Sequence, residues 1–239
     1  MNKGVLYAVL VVVMLALAAC VRATPTATPS PASGSFEPPL YEGEPVFTVL
    51  DASLEGGTLE VVMDHDREKQ PEWFDEPVLL AGPERVKGEV LGGSSPHTVV
   101  FEGVSQDVRE AVVEFPKVTV QINEATTQPA SATIIREPEG ESLEITNRET
   151  EARNGTFIIH YEPPTQYGPY VAEAAICAGD RKVSNSGSDM LFSPDPQRIG
   201  GSIVFPPKAM VLAEAEGAVL EVASFRKAFR VRVPVSLGP

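Results

Sequence analysis

The sequence GTLEVVM at residues 57–63 returns 98 residues later as GTFIIHY at residues 155–161. In the first stretch Leu59, Val61 and Met63 alternate with residues of the other face, and large apolar residues occupy the same phase in the second. Alternation with a period of two is typical of a β-strand that buries one face. The two stretches therefore predict a β-rich fold that contains a repeated unit.

Three further blocks repeat in the same order along the chain. Their positions and offsets are 80–85 with 177–182 at 97, 98–101 with 202–205 at 104, and 111–114 with 218–221 at 107. The offsets differ only by lengths that loops can absorb. Chance β-patterning could produce one such block, but four in order indicate an internal duplication.

Turn residues separate the alternating segments, and helical periodicity is nearly absent. Residues 229–233 alternate strictly, which predicts that Arg230 and Arg232 face water, whereas residues 209–222 are the best helix candidate and contain Gly217. Many short strands without helices are typical of β-sandwiches or barrels. We therefore expect an all-β chain with two tandem antiparallel sandwiches.

Each repeat has the usual length of an immunoglobulin-like sandwich, although the Cys-Trp-Cys signature is missing. The order of the blocks resembles that of immunoglobulin-like extracytoplasmic modules in bacterial envelope proteins. The resemblance implies sandwiches at residues 44–124 and 125–239, with residues 123–132 as the linker. One larger sandwich in which the two halves share a core remains the alternative.

The amino terminus carries a different signal. Lys3 precedes an uncharged apolar stretch at residues 5–19. As a helix this stretch would span about 22 Å, which is short of the ~30 Å hydrocarbon core of a bilayer. It therefore predicts the hydrophobic region of a signal peptide rather than a permanent transmembrane helix.

The stretch ends in Leu17-Ala18-Ala19-Cys20, which resembles the lipobox of bacterial lipoproteins. The resemblance implies a signal peptide at residues 1–19, cleavage between Ala19 and Cys20, and a thioether-linked lipid such as a palmitate-containing diacylglycerol on Cys20. It places the protein on the extracytoplasmic face of the cell membrane. Because no Asp follows Cys20, transport to an outer membrane is also permitted in a diderm organism. An ordinary secretory signal is the alternative interpretation.

The segment after Cys20 predicts a disordered tether over residues 20–43. Residues 23–35 are Thr, Pro, Ala, Ser and Gly, and three prolines fix the backbone and remove amide donors. At about 3.1 Å per residue this stretch would extend roughly 40 Å.

The charge balance excludes one class of partner. The chain has 19 Lys and Arg against 33 Asp and Glu, a formal net charge of −14. Nucleic acids need clustered cations for binding. We therefore expect no nucleic-acid partner.

Aromatic residues beside prolines form the first candidate site. Trp73 and Phe74 follow Pro71, and the second copy has Tyr167 and Tyr170, with Tyr170 matched to Trp73. Such residues can form a flat platform for sugar rings or peptides. They can equally close the open end of a sandwich, which is the interpretation that we favour.

Ionisable residues give weaker signals. Asp64 and Asp66 could share one strand face and bind Ca²⁺, although a solvated acidic loop explains them as well. The three histidines lack zinc-site spacing, and we expect no other metal and no cofactor. Cys177 matches Leu80 and is expected to be a buried free thiol of the core.

No catalytic motif stands out, and we expect no enzyme activity. The sequence favours a binding or structural role in the bacterial envelope. The expected partners are membrane lipid through acylated Cys20 and an envelope protein or extracellular polysaccharide. The alternatives are a substrate-capturing or sensor lipoprotein with a ligand site where the sandwiches meet, and a hydrolase with an unrecognised carboxylate pair.

Overall fold

The computed structural model describes residues 37–73, 75–92, 95–138, 140–151, 155–192 and 199–237. Within these ranges the chain is nearly all antiparallel β-structure with one short helix, so the predicted all-β class is confirmed. None of the described helices is long and apolar enough to cross a membrane.

The first half of the fold contains seven strands. They are β1 (Phe47–Glu55), β2 (Thr58–His65), β3 (Glu72–Trp73), β4 (Val78–Ala81), β5 (Glu84–Leu91), β6 (His97–Glu102) and β7 (Glu110–Ile122). Six of them pair in the order β1-β2-β6-β5-β4-β7, and β3 pairs with β7. The first part of β5 pairs with β4 and its second part with β6, so β5 joins the two layers of a sandwich.

The second half has the remaining elements. They are β8 (Thr126–Pro129), β9 (Ile134–Arg136), β10 (Ser142–Glu151), β11 (Thr156–Glu162), β12 (Tyr170–Ala178), β13 (Arg181–Ser184), β14 (Gly187–Phe192), β15 (Ile199–Phe205), helix α1 (Lys208–Ala213) and β16 (Val219–Ser236). One sheet follows the order β14-β15-β11-β10-β9, and β13, β12 and β16 form the facing layer. The helix overlaps only the first part of the candidate stretch 209–222 and begins one residue before it, and β16 takes up the end of that stretch.

The two halves pair their strands in the same register. The Leu59–Phe101 pair of β2 and β6 corresponds to the Phe157–Phe205 pair of β11 and β15. Likewise, β4 and β7 repeat in β12 and β16, and the register shift between β1 and β2 recurs between β10 and β11. The four blocks matched by sequence therefore occupy equivalent positions in the two halves.

Each half has its own hydrophobic core, because its alternating strands turn one face inward. The first core is centred on residues such as Leu59, Phe101 and Phe115, and the second on residues such as Ile159 and Phe205. The two cores are distinct, as the prediction of two sandwiches implies. However, the two halves share one strand, so they are not two independent tandem sandwiches.

That strand is β16, whose 18 residues serve both cores. Its amino-terminal part pairs with β12, and its carboxyl-terminal part pairs with β7 and adds Val231, Val233 and Val235 to the first core. In return, β8 follows β7 and pairs with the start of β16. The last strand of each half thus continues alongside the other half.

This exchange alters the predicted boundaries. A division between residues 124 and 125 would separate the first core from three of its valines. The segment at 123–132, expected to be a linker, contains β8. The Thr-Thr-Gln-Pro sequence gives β8 no apolar face, and its residues are exposed or only half-buried.

The amino-terminal end of the described chain is also attached to β16. Arg230 donates its backbone N–H to the Pro39 carbonyl and accepts a hydrogen bond from the Tyr41 N–H, and its guanidinium binds Glu37 at 2.7 Å. Residues 37–43 therefore belong to the folded body and not to the tether. Arg232 is exposed as predicted and also pairs with buried Glu114 at 2.7 Å, whereas Arg230 is only half-buried.

Candidate functional site

Trp73 lies at the end of the first sandwich, where the short strand β3 pairs with β7. Its ring is partly buried and makes edge-on contacts with Phe47, Phe115 and His97 at centroid distances of 5.3, 5.6 and 4.8 Å. Edge-to-face packing of this kind stabilises an aromatic core. Trp73 is thus a packed side chain, and Phe74 lies outside the described residues.

The tyrosines of the second half are placed differently. Tyr170 is 4% exposed in the second core, and its hydroxyl donates to the Gln166 carbonyl at 3.2 Å. Tyr167 is half-buried, and its carbonyl accepts the Ala228 N–H. Among the three predicted aromatics that the structure describes, Trp73 packs against the first core and Tyr170 lies in the second, so these two do not share one platform.

The match between Trp73 and Tyr170 is displaced by one residue. Trp73 pairs with Val118, and Val171 pairs with Phe225, which is the counterpart of Val118. Trp73 therefore corresponds to Val171, which is buried in the second core. The sequence match therefore found the correct strand end but was displaced by one residue, and both Tyr170 and Val171 pack in the second core.

The two carboxylates predicted as Ca²⁺ ligands accept hydrogen bonds from other groups of the protein. Asp64 accepts hydrogen bonds from the Ser95 hydroxyl and the His65 N–H, which lower the pKa of Asp64. Asp66 accepts from Lys69 Nζ at 2.9 Å, and this contact lowers the pKa of Asp66. The Lys69 ammonium supplies the positive charge beside Asp66 that a metal ion would otherwise supply.

No cluster of three or more His, Cys, Asp and Glu that could hold a metal ion occurs in the part of the chain that the structure describes. The described arrangement therefore lends no support to a Ca²⁺ site at Asp64 and Asp66.

Cys177 is not a core residue, which corrects the prediction. It is partly exposed, and the neighbouring Ile176 is the residue of β12 that points inward. The thiol lies 3.7 Å from Glu221 Oε2, and burial and this carboxylate raise the pKa of Cys177. Its counterpart Leu80 is likewise only partly buried. The sequence match between the two residues was therefore correct, but the strand face predicted to be buried was wrong.

Two histidines line a pocket beside Trp73. His65 and His97 have ring centroids 5.5 Å apart and planes inclined by 25°. The pocket has a volume of about 660 Å³ and also contains Glu72 and Pro71. Burial, and secondarily the neighbouring His65, lower the pKa of His97 and favour its neutral ring.

Sequence spacing could not reveal this pair, because the two histidines are 32 residues apart. They meet because β2 and β6 are neighbours and Met63 pairs with His97. His65 lies two residues beyond Met63 and so projects from the same face of the sheet.

A second pocket, of about 640 Å³, lies where the two halves and the amino-terminal segment meet. Tyr41 and Phe229 line it and contact each other edge-on at 5.1 Å. Lys69 and Gln121 add polar groups, and its remaining charged residues are acidic: Glu42, Glu44, Asp66, Glu68 and Glu124. We call this pocket the junction groove.

Ala19 and Cys20 lie outside the described residues, so their predicted cleavage and lipidation remain predictions. Comparison with known proteins finds no matching family model, no similar curated protein and no similar solved structure. The functional argument therefore depends on the residues of this chain.

Proposed function

We propose that the protein is a bacterial lipoprotein that acts on the extracytoplasmic face of the membrane without catalysis. In this proposal Cys20 carries the lipid, and the β-body binds an envelope protein or polysaccharide or has a structural role. The observation that carries the proposal is the sequence Leu17-Ala18-Ala19-Cys20 directly after an uncharged apolar stretch.

The position of the body along the chain supports this proposal. The described body already includes residues 37–39, where Glu37 and Pro39 contact Arg230. Residues 21–36 would therefore separate the lipid from the body, and in an extended polyproline-like form they would span about 50 Å. A tether of that length would let the acidic body remain away from anionic headgroups.

Detergent phase partitioning of the full chain, expressed in a bacterial host, tests the anchor. We expect the wild-type protein in the detergent phase and Cys20→Ala in the aqueous phase, because two or more acyl chains give stable membrane attachment. Cys177→Ala is the matched control and should partition like the wild type, since Cys177 belongs to the folded body. Detergent partitioning that survives Cys20→Ala would refute the proposed lipid anchor.

Ligand capture is the second candidate function, and the junction groove is the observation that favours it. Tyr41 and Phe229 offer aromatic surface there, and Lys69 and Gln121 offer hydrogen-bonding groups. The surrounding carboxylates favour a neutral or cationic ligand over an anionic one. A groove with aromatic and polar walls of this kind suits a sugar chain.

Titration of the full chain with oligomers of N-acetylglucosamine, followed by calorimetry, tests this candidate. Saturable heat that Phe229→Ala abolishes would favour capture over a purely structural role. Leu50→Ala is the control, because Leu50 is 56% exposed and lies outside the junction groove. Absence of binding by the wild type would remove this sugar class from consideration.

A further inference from the structure

The two histidines at the end of the first sandwich contribute nothing to the proposed anchor or to the junction groove. His65 ends β2 and His97 begins β6, and both project beside Met63 toward one pocket. Both continue the inward-facing phase of their strands, beyond Met63 in β2 and before Val99 in β6, but they place imidazoles where the rest of that phase is apolar. Their presence at this buried end therefore needs a separate explanation.

The ring nitrogens of the pair are unusual for buried groups. His97 is 8% exposed, and neither its Nδ1 nor its Nε2 has a hydrogen-bond partner of normal geometry, with the Gly92 backbone as the nearby polar group. The Nδ1 of His65 is also buried without a partner. Buried polar atoms are normally paired, and an unpaired one costs free energy. The arrangement is therefore suited to a ligand that accepts nitrogen lone pairs.

We propose that His65 and His97 together bind a divalent transition-metal ion, such as Ni²⁺ or Zn²⁺, in the pocket beside Trp73. Imidazole nitrogen is a preferred ligand of these ions. Two imidazoles on one tetrahedral ion, with metal–nitrogen bonds of about 2.1 Å, have ring centroids about 5 Å apart. The observed centroid separation of 5.5 Å, with ring planes inclined by 25°, is compatible with that spacing.

Water would complete the coordination shell, and the pocket of about 660 Å³ has room for it. Glu72 also lines this pocket, but it lies 3.8 Å from Arg226, so we assign it no ligand role. A two-imidazole site of this kind predicts binding in the micromolar range or weaker, without a role in folding.

The second half supports the assignment by contrast. Its residues at the positions of His65 and His97 are Pro163 and Gly201. The ring of Tyr161 fills the space over Gly201. We call this space between the strands, at the positions of His65 and His97, the slot. In the second half Tyr161 closes the slot and neither position holds a histidine, so the histidine pair is a feature of the first half alone.

Trp73 provides a direct measurement, because it is the only tryptophan of the chain and its ring lies 4.8 Å from His97. We would titrate the untagged full chain in non-ionic detergent with Ni²⁺, a paramagnetic quencher, and follow tryptophan fluorescence. The expected result is saturable quenching with one ion per chain. Zn²⁺ added in excess should restore the emission by displacement.

Three variants make the test specific. His65→Gln and His97→Gln should each raise the dissociation constant at least tenfold, and His160→Gln should leave it unchanged because His160 pairs with Glu149 at 2.9 Å on the second half. His65 is the more accessible of the pair, so His65→Gln keeps the test valid should His97→Gln fail to fold. Linear quenching in the wild type, or unchanged affinity in His65→Gln, would overturn the proposal.

Discussion

The equivalent ends of the two sandwiches are filled in opposite ways. In the second half the Tyr161 ring lies over Gly201, and its hydroxyl accepts a hydrogen bond from the Val171 N–H at 2.9 Å. Burial raises the pKa of Tyr161 strongly, so the hydroxyl stays neutral. One large side chain thus closes the slot and satisfies its own polar atom.

In the first half, Met63, His97 and Trp73 occupy the positions of Tyr161, Gly201 and Val171. These three side chains leave a pocket, and the imidazole atoms there remain unpaired. The comparison shows that strand register determines where the slot lies. The sizes of the side chains that neighbouring strands place there determine whether the slot is closed or open.

Separation of the two halves should have the largest effect on stability. We expect residues 37–124 alone to lack a stable fold, because Val231, Val233 and Val235 of the first core are missing. Burial of a valine contributes about 2 kcal/mol, and a typical domain is stable by only about 5–15 kcal/mol. Amide proton dispersion in an NMR spectrum of the fragment measures the outcome.

A matched fragment tests the reason. Residues 225–239 joined after residue 124 through a flexible Gly-Ser linker should restore dispersed β-type signals, because they supply the strand that pairs with β7. A well-dispersed spectrum from residues 37–124 without this addition would show that the first half folds independently of the exchange.

A methyl group in the closed slot should have the next largest effect. Gly201→Ala places a Cβ against the Tyr161 ring, and we expect a loss of about 1–3 kcal/mol because overpacking forces strain. Gly187→Ala in the adjacent strand is the control, since its Cβ meets nothing within 4 Å. Urea unfolding compares the two, and equal midpoints would contradict the closed-slot description.

An ion pair lies at equivalent positions of the two halves, and its loss should change the free energy of unfolding by the smallest amount. Glu114 binds Arg85 and Arg232 with its side chain 5% exposed, whereas its counterpart Glu221 binds Lys182 with its side chain 31% exposed. We expect Glu114→Gln to cost about 1–3 kcal/mol and Glu221→Gln less than about 1 kcal/mol. Urea unfolding at pH 7 should show this order, and the reverse order would contradict it.

The Glu221 contribution should also depend on pH. The Lys182 hydrogen bond lowers the pKa of Glu221 below its ordinary value of 4.5. The stabilisation is therefore present above pH 4.5 and is lost as the pH falls through the lower pKa of the folded state. Unfolding curves of wild type and Glu221→Gln should converge in acid.

Local patterns predicted the strands and their repetition because a half-buried strand carries its period in the sequence. The matches of Leu59 with Phe157 and of Leu80 with Cys177 both hold in the strand pairing. Which face of a strand is buried was harder to predict. The sequence match places Cys177 in the core, whereas its neighbour Ile176 is the buried residue.

Long-range features were beyond the reach of pattern analysis. Nothing in the alternation of residues 229–236 indicates that they pair with β7, more than a hundred residues earlier, and complete the first core. The meeting of His65 with His97 depends on the pairing of β2 and β6 in the same way. Such contacts are decided by which strands become neighbours, and a single sequence does not encode that choice locally.

The attachment of residues 37–41 to Arg230 has a mechanical consequence. A pull on the chain ahead of Glu37 would load the hydrogen bonds between Pro39, Tyr41 and Arg230 before any terminal strand could peel away. Arg230 lies within β16, which is paired with β7 and β12 along its length. The force would therefore enter as shear along a central strand and be distributed to both cores together.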